Sequence, residues 1–353
     1  MNRNVILIVL DTVRKDYFDR FAERIQDKSS TSFEQCRAAA TWSTPSHASM
    51  LTGKLLHQHG VHSGNQSFDS IDIGETFIND LPNHKKVCLT DHGLLQPTYG
   101  FDKFFDRHKT TGWEQIVNKA DLEAGVEKYL IALRETLSSG DPYTIYKNLE
   151  RALWNDFEDL MFKLPLDGPP DQGAAELSRM SKRETERNDE PFFYFMNFMD
   201  AHTTHRVHKH LNRSLYSAPD DWSSESHYVW ESDQFSESYL NHYRDLYGAS
   251  IEYLDRIVVE LYEQVSKVTD TETTVVITAD HGHNLGYSCD DNLLGHMGST
   301  SESVLHVPLS IINPPDGFPT NVNKLTSHLD LGELIVRIAE NESEVDDLTG
   351  TPI

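Results

Sequence analysis

Continuous apolar runs recur along the chain and indicate a sheet that is buried on both faces. The runs are VILIVL (5–10), PFFYFMNFM (191–199), TTVVITAD (273–280) and VPLSII (307–312). Runs with so few polar interruptions are typical of parallel strands that are covered by helices on both sides. We therefore expect four of the central strands at these places.

Segments with helical periodicity separate these runs. Residues 119–136, 144–163 and 246–266 have apolar positions three and four residues apart, which is the spacing of an amphipathic helix. The alternation predicts an α/β fold with a doubly wound, mostly parallel sheet flanked by helices.

The chain organisation follows from the same pattern. We expect a single α/β domain over residues 1–340, with a helical insertion at about 110–185 that separates its strand-rich halves. The serine- and acid-rich stretch 214–238 is predicted to be a surface loop, and residues 341–353 a polar tail.

Charge and composition limit the partners. The formal net charge is −25, so nucleic acid and anionic membrane surfaces would be repelled, and an anionic substrate would need a local positive centre such as a metal ion. The acidic excess indicates either a protein from a high-salt cytoplasm or an ordinary acidic enzyme. The first apolar run is too short for a membrane span or a signal peptide, which predicts a cytoplasmic protein.

Acidic residues follow two of the predicted strands. Asp11 comes directly after the first run, and Asp280 with His281 closes the third. Functional groups of open parallel sheets gather at the carboxyl ends of the strands, and two carboxylates with an imidazole form a plausible metal site. Alternatively, either aspartate could cap a helix.

The segment TWSTPSHASMLTG (41–53) places a hydroxyl at a predicted helix start. Pro45 suits the first turn of a helix, where unpaired amides and the positive end of the dipole face an anion. Ser43 could therefore be a nucleophile toward sulfate or phosphate, or it could be only an N-cap.

These residues resemble the signature of the sulfatase family, within the alkaline phosphatase superfamily, in which a nucleophile is followed by x-Pro-Ser-Arg and then Ala-Ser-x-Leu-Thr-Gly. Further segments are similar to the family in the same order along the chain. They are NVILIVLDTVRKDYF (4–18), FMDAHTTH (198–205), YGASIEYLD (247–255), ITADHGHNLG (277–286) and HMGSTSESVLHVPLSI (296–311). The resemblance implies an alkaline phosphatase-like fold. None of the matching motifs lies in the predicted helical insertion.

The resemblance also implies roles for individual residues. It places a divalent metal ion on Asp11, Ser43, Asp280 and His281. The catalytic residues that it implies are Ser43, His47 and His202. It places His296 and Asn65 around the substrate.

Three departures from the family pattern affect the expected chemistry. Thr12 stands where many sulfatases carry a second acid, Ser43 where many have cysteine, and His47 in place of the arginine of the formylglycine signature. Calcium is the metal expected by resemblance, with manganese or zinc as alternatives because His281 is a nitrogen ligand. Formylglycine at position 43 is an option rather than a requirement.

The sequence thus predicts a metal-dependent hydrolase of sulfate esters, acting on a small molecule or a saccharide, with Ser43 or its formylglycine as nucleophile. One alternative is hydrolysis of phosphate mono- or diesters, or phosphoryl transfer, by unmodified Ser43. Another is a degenerate family member that binds an anion or a metal without turnover.

Overall fold

The computed structural model describes residues 2–111, 142–156, 158–162, 164, 168–225 and 229–343, and its centre is a sheet of eight strands. The strands of the described residues, in chain order, are β1 (Asn4–Leu10), β2 (Thr31–Arg37), β3 (Lys85–Thr90), β4 (Arg107–Lys109), β5 (Phe192–Phe198), β6 (Val229–Glu231), β7 (Thr273–Thr278), β8 (Asn284–Leu285), β9 (Leu293–Gly295), β10 (Leu309–Ile312) and β11 (Asn321–Ser327).

The order of strands in the large sheet is β11-β2-β10-β7-β1-β5-β3-β4. β1 lies at its centre and pairs in parallel with both β5 and β7, and all seven of its residues are buried. Only β10 is antiparallel to its neighbours. A mostly parallel α/β sheet is therefore confirmed, and β6, β9 and β8 form a separate small antiparallel sheet.

Helices cover both faces of the sheet. The helices of the described residues are α1 (Lys15–Phe21), α2 (Glu23–Lys28), α3 (Ser43–Thr52), α4 (Leu56–His59), α5 (Pro142–Asp156), α6 (Glu158–Met161), α7 (Ala174–Thr185), α8 (Glu237–Ser266), α9 (Glu302–Leu305) and α10 (Leu331–Ala339). The long helix α8 packs with α1, α2 and α7, while α10 packs with α3 and β1. None of the described helices is long and apolar enough to span a membrane.

The apolar runs predicted the central strands correctly, because each becomes one of β1, β5, β7 and β10. The pattern at 246–266 is the second part of α8, which begins earlier, at Glu237. The interval 144–163 contains α5 and α6, whereas the helix predicted at 119–136 lies outside the described residues.

The sequence did not identify β2, β3, β4 and β11, which are shorter, more polar or nearer the sheet edges. β11 has only one buried residue among its seven, Thr326. The expected surface loop at 214–238 contains the short strand β6. The single domain and the insertion stay predictions, although α7, inside the expected insertion, packs on β3 and β5.

The parallel arrangement brings four loops to one edge of the sheet. β7, β1, β5 and β3 are adjacent in that order, and the residues that follow them are Asp280, Asp11, Asp200 and Asp91. Carboxyl ends of neighbouring parallel strands lie side by side. The edge formed by these four strands is therefore where the candidate chemistry is found.

We expect the stability of the fold to depend on the centre of the sheet and little on its edge. Leu7→Ala, in fully buried β1, should lower the free energy of unfolding by about 2–5 kcal/mol because it leaves a cavity. The matched variant Leu325→Ala, on the edge strand β11 with 55% of its surface exposed, should change it by less than about 0.5 kcal/mol. Denaturant unfolding of both variants measures the difference, and equal losses would contradict the described topology.

Candidate active site

Two buried carboxylates face each other at the ends of β1 and β7. Asp11 and Asp280 are both fully buried. Asp280 Oδ1 accepts hydrogen bonds from the backbone amides of Thr12, at 3.0 Å, and His281, at 2.9 Å. Asp11 Oδ2 accepts from Asn197 Nδ2, at 3.3 Å. Neither aspartate directly precedes a described helix, so the helix-cap alternative is wrong for both.

The second oxygen of each carboxylate accepts no hydrogen bond from the residues that the structure describes. Within the described part of the chain, Asp11 Oδ1 and Asp280 Oδ2 are buried and accept no hydrogen bond. Leaving such atoms unpaired away from water costs free energy. Two orphaned oxygens at one place therefore indicate that a cation completes the site.

His281 supplies a nitrogen to the same place. Its Nδ1 donates to the Gly282 carbonyl, at 2.9 Å, so the neutral ring keeps its lone pair on Nε2. That nitrogen is 3.2 Å from Asp280 Oδ2. One ligand atom from each of Asp11, Asp280 and His281 lies within 4.8 Å of the others, so this donor set fits a divalent metal ion.

Burial disfavours ionisation of both carboxylates, whereas their neighbours shift the two pKa values in different directions. Burial and the nearby charge of Asp280 raise the pKa of Asp11 well above its usual value. Burial opposes ionisation of Asp280 too, but His281 and His47 and the amide hydrogen bond from Thr12 lower its pKa to about 2. The pair thus holds one stable carboxylate and one that needs a neighbouring cation to ionise.

Ser43 stands at the start of α3, beside the candidate metal ligand His281. Trp42 is the N-cap and Ser43 the first helical residue, so the interpretation of Ser43 as only an N-cap is wrong. Its Oγ lies 3.4 Å from His281 Nε2. Ser46 Oγ donates to the Asp280 carbonyl, at 2.6 Å, and this bond fastens the first turn of α3 to the end of β7.

Thr12 occupies the position of the expected second acid and has a structural role. Its backbone has a φ of 62°, a left-handed conformation that is costly for a β-branched residue. The Thr12 amide donates to Asp280, its hydroxyl donates to the Ala201 carbonyl at 3.0 Å, and Tyr247 Oη donates to its carbonyl at 2.7 Å. Thr12 therefore ties the ends of β1, β5 and β7 together.

His47 and His202 present the same kind of nitrogen. His47 Nδ1 donates to the Ser43 carbonyl, at 2.7 Å, and His202 Nδ1 donates to the Thr203 carbonyl, at 2.6 Å. The Nε2 atom of each neutral ring is then an acceptor. Burial lowers the pKa of both rings, so each is neutral near pH 7 and can receive a proton at Nε2.

His92 was missed by the sequence interpretation. Its Nδ1 accepts from the Leu94 amide, at 3.1 Å, so the neutral ring carries its proton on Nε2, 3.6 Å from Asp11 Oδ2. Burial lowers its pKa to about 3. His92 follows β3 in the motif Thr90-Asp91-His92, and the signal was lost because β3 itself was not recognised.

Asn197 was also missed, since it lies inside the apolar run that forms β5. It is fully buried, and its Nδ2 donates to Asp11. The run PFFYFMNFM contains a single amide among apolar residues, and this was the available signal. Asn197 orients Asp11 so that the other carboxylate oxygen is left for a cation.

Of the two predicted substrate residues, His296 lies at the cluster, with its ring centroid 4.4 Å from that of His281 and 5.8 Å from that of His202. Asn65 donates from Nδ2 to the Gly60 carbonyl, at 3.0 Å, and its backbone pairs with His62. These bonds shape its own loop, and its contact with substrate stays a prediction.

One known protein family covers nearly the whole chain. The family model described as Sulfatase matches residues 3–340. No curated protein sequence matches the chain significantly.

Solved structures share the fold at low sequence identity. The phosphonate monoester hydrolase of Agrobacterium radiobacter has a TM-score of 0.63 and 15% identity, covering 98% of this chain and 78% of its own. BT4656, solved with its substrate D-glucosamine-2-N,6-O-disulfate, has a TM-score of 0.62 and 14% identity, covering 99% and 78%. The C-terminal periplasmic domain of the phosphoethanolamine transferase EptC from Campylobacter jejuni has a TM-score of 0.60 and 9% identity, covering 100% and 96%.

We expect Asp11 to decide whether a divalent metal ion stabilises the protein. Manganese, zinc or calcium at a hundredfold excess over its dissociation constant should raise the free energy of unfolding of the wild type by about 3 kcal/mol. In Asp11→Asn this gain should be lost. The metal-free variant should be at least as stable as the metal-free wild type, because a neutral amide replaces a carboxyl group that is costly to ionise beside buried Asp280. Thermal unfolding with chelator and with each ion measures both effects.

The matched control is Asp27→Asn, which changes an exposed aspartate on α2. It should keep the full gain on metal addition. A full gain in Asp11→Asn as well would show that the ion binds elsewhere.

Proposed function

This chain belongs to the sulfatase family of ester hydrolases, and we propose that it hydrolyses sulfate esters by attack from Ser43, or from formylglycine formed at that position. The proposed substrate is the sulfate ester of a small molecule or a saccharide. The observation that carries this proposal is the convergence of the Ser43 hydroxyl with the orphaned oxygens of Asp11 and Asp280 and with His281 Nε2.

The proposed metal ligands are Asp11, Ser43, Asp280 and His281, with calcium as the family's usual ion and manganese or zinc favoured by the nitrogen ligand. A bound divalent ion would lower the pKa of the Ser43 hydroxyl and neutralise charge on the ester oxygens. It would also supply the local positive centre that a chain of net charge −25 requires to bind an anion.

We assign different proton-transfer roles to the histidines of the site. His47 lies one turn after Ser43 on α3 and offers an acceptor nitrogen, so we assign it to receive the proton from the Ser43 hydroxyl. His202, on the loop after β5, is assigned to take a proton from water at Nε2 and to deliver it to the leaving alcohol. His92 presents an N–H at Nε2, 3.6 Å from Asp11 Oδ2, and we assign it to favour the charged form of that carboxylate.

A second candidate function is attack by unmodified Ser43 on a phosphate or phosphonate ester, followed by transfer of the phosphoryl or phosphonyl group to water or to an acceptor alcohol. The observation that favours it is His47, which replaces the arginine of the modification signature and is fully buried under the Ser43 carbonyl. The structural neighbours include both a phosphonate monoester hydrolase and a phosphoethanolamine transferase. Attack by an unmodified serine would break the ester bond, release the alcohol and leave the phosphoryl or phosphonyl group on Ser43 Oγ, from which water or the acceptor would then take it.

The retained donor set argues against a degenerate, non-catalytic protein. Such a protein would have no need for a hydroxyl beside two orphaned carboxylate oxygens and several neutral histidines. The cytoplasmic location, the high-salt origin and the absence of nucleic acid or membrane partners stay predictions from composition.

Mass spectrometry of the peptide that contains Ser43, from protein made in its native host, distinguishes the two candidates. Formylglycine predicts turnover of nitrophenyl sulfate, whereas unmodified serine predicts turnover of nitrophenyl phosphonate or phosphodiester. In either case Ser43→Ala should lower kcat by a factor of about a thousand or more, since a nucleophile is removed. Turnover is measured with paired esters and added metal ions.

The matched control is Ser49→Ala, on the same helix, whose hydroxyl contacts His59 Nε2 at 3.1 Å, a residue outside the metal cluster. It should keep most of the activity. Full activity in Ser43→Ala would refute the proposed nucleophile, and failure of the wild type to turn over any of the esters would favour the degenerate alternative.

A further inference from the structure

Tyr243 and His283, which have no role in the assignments above, form a line of contacts that ends at the substrate residue His296. Tyr243 Oη lies 2.6 Å from His283 Nε2, and His283 Nδ1 lies 3.3 Å from His296 Nδ1. All three side chains are buried. Tyr243 is on α8, His283 follows the metal ligand His281 by two residues, and His296 comes after β9.

We propose that Tyr243 and His283 are positioning residues that fix His296 as a hydrogen-bond donor at Nε2, directed to an oxygen of the bound ester. The inference rests on the proposed function, because it assigns the role of one substrate residue in that site.

The direction of the hydrogen bonds follows from the chemistry of the first pair. A phenol is a strong donor and a weak acceptor, whereas an unprotonated imidazole nitrogen is a strong acceptor. Tyr243 is fully buried, which raises the pKa of the phenol well above its usual value and keeps the proton on oxygen. Tyr243 therefore donates to His283 Nε2.

The hydrogen bond from Tyr243 then determines which ring nitrogen carries the proton in His283 and in His296. With Nε2 of His283 accepting, its ring carries the proton on Nδ1, and this N–H donates to His296 Nδ1. His296 must keep its own proton on Nε2. The backbone of His283 is held in place as well, since its carbonyl accepts from Arg14 Nη1 at 3.1 Å.

This tautomer gives the site a donor of a kind that His47 and His202 do not provide. Both of those rings use Nδ1 to donate to a backbone carbonyl and present Nε2 as an acceptor, whereas His296 presents an N–H. A donor that is fixed before the substrate binds stabilises the charge that grows on an ester oxygen without reorganisation in the transition state. Loss of the fixed tautomer should therefore affect kcat more than KM.

The first test reads the tautomer directly and requires no turnover. Nitrogen NMR of protein labelled with 15N-histidine, in its metal-loaded form, distinguishes a protonated Nδ1 from a protonated Nε2. The wild type should show His296 protonated on Nε2, and Tyr243→Phe should give a mixture of both tautomers. His296 protonated on Nδ1 in the wild type, or an unchanged ring in Tyr243→Phe, would overturn the proposal.

The second test is kinetic. On an ester that the wild type hydrolyses, Tyr243→Phe should lower kcat about tenfold, the size of one net hydrogen bond, and should change KM and metal affinity less than twofold. The matched control is Tyr239→Phe, one turn earlier on α8, whose hydroxyl accepts from the Glu225 amide at 2.9 Å. It should leave kcat and the His296 tautomer unchanged.

A further pair of variants guards against a folding defect in Tyr243→Phe. His283→Gln keeps one acceptor and one donor, so it should lose less kcat than His283→Leu, which has neither. Equal losses in the two variants would contradict the relay. If the wild type hydrolyses no ester, the NMR result still decides the tautomer, so the two proposals fail separately.

Discussion

The structure depends on two carboxylates that are buried side by side without enough protein partners. Asp11 and Asp280 follow the adjacent parallel strands β1 and β7. The pairing of these strands holds the two buried carboxylates close together although like charges repel. The backbone amides of Thr12 and His281 and the amide of Asn197 satisfy one oxygen of each carboxylate. The other two oxygens are left for a cation, and the remaining residues of the site surround the place where that cation would bind.

The surrounding groups can be understood as the means of holding this cluster in shape. Thr12 has a strained, left-handed backbone conformation, and its hydrogen bonds link the ends of three strands. Ser46 fastens the helix that carries Ser43 to the strand that carries Asp280. One ring nitrogen of each of five histidines has a hydrogen-bond partner, so the second nitrogen has a defined donor or acceptor state; they are His47, His92, His202, His281 and His296. Such preorganisation is what a site for a charged transition state needs.

The sequence was informative where chemistry and periodicity coincide. Asp11, Asp280 and His281 could be expected to meet because each follows a long apolar run and parallel strands share an edge. Ser43 could be placed at a helix start from Pro45. His92 and Asn197 were not predicted for different reasons. β3, which precedes His92, begins with two lysines and forms no continuous apolar run, whereas Asn197 lies inside an apolar run. Asp11, the hydrogen-bond partner of Asn197, is more than a hundred residues away in the sequence. The tautomers of the histidines depend on contacts with backbone carbonyls, which sequence periodicity does not predict.

The most direct test of the central claim is a crystal structure of the protein loaded with manganese or zinc, with anomalous data collected at the absorption edge of that metal. We expect one strong anomalous peak within bonding distance, about 2.0–2.3 Å, of Asp11 Oδ1, Asp280 Oδ2 and His281 Nε2, with the side chain at position 43 completing the coordination. A peak at another place, or no peak while the two carboxylates keep their described positions, would contradict it.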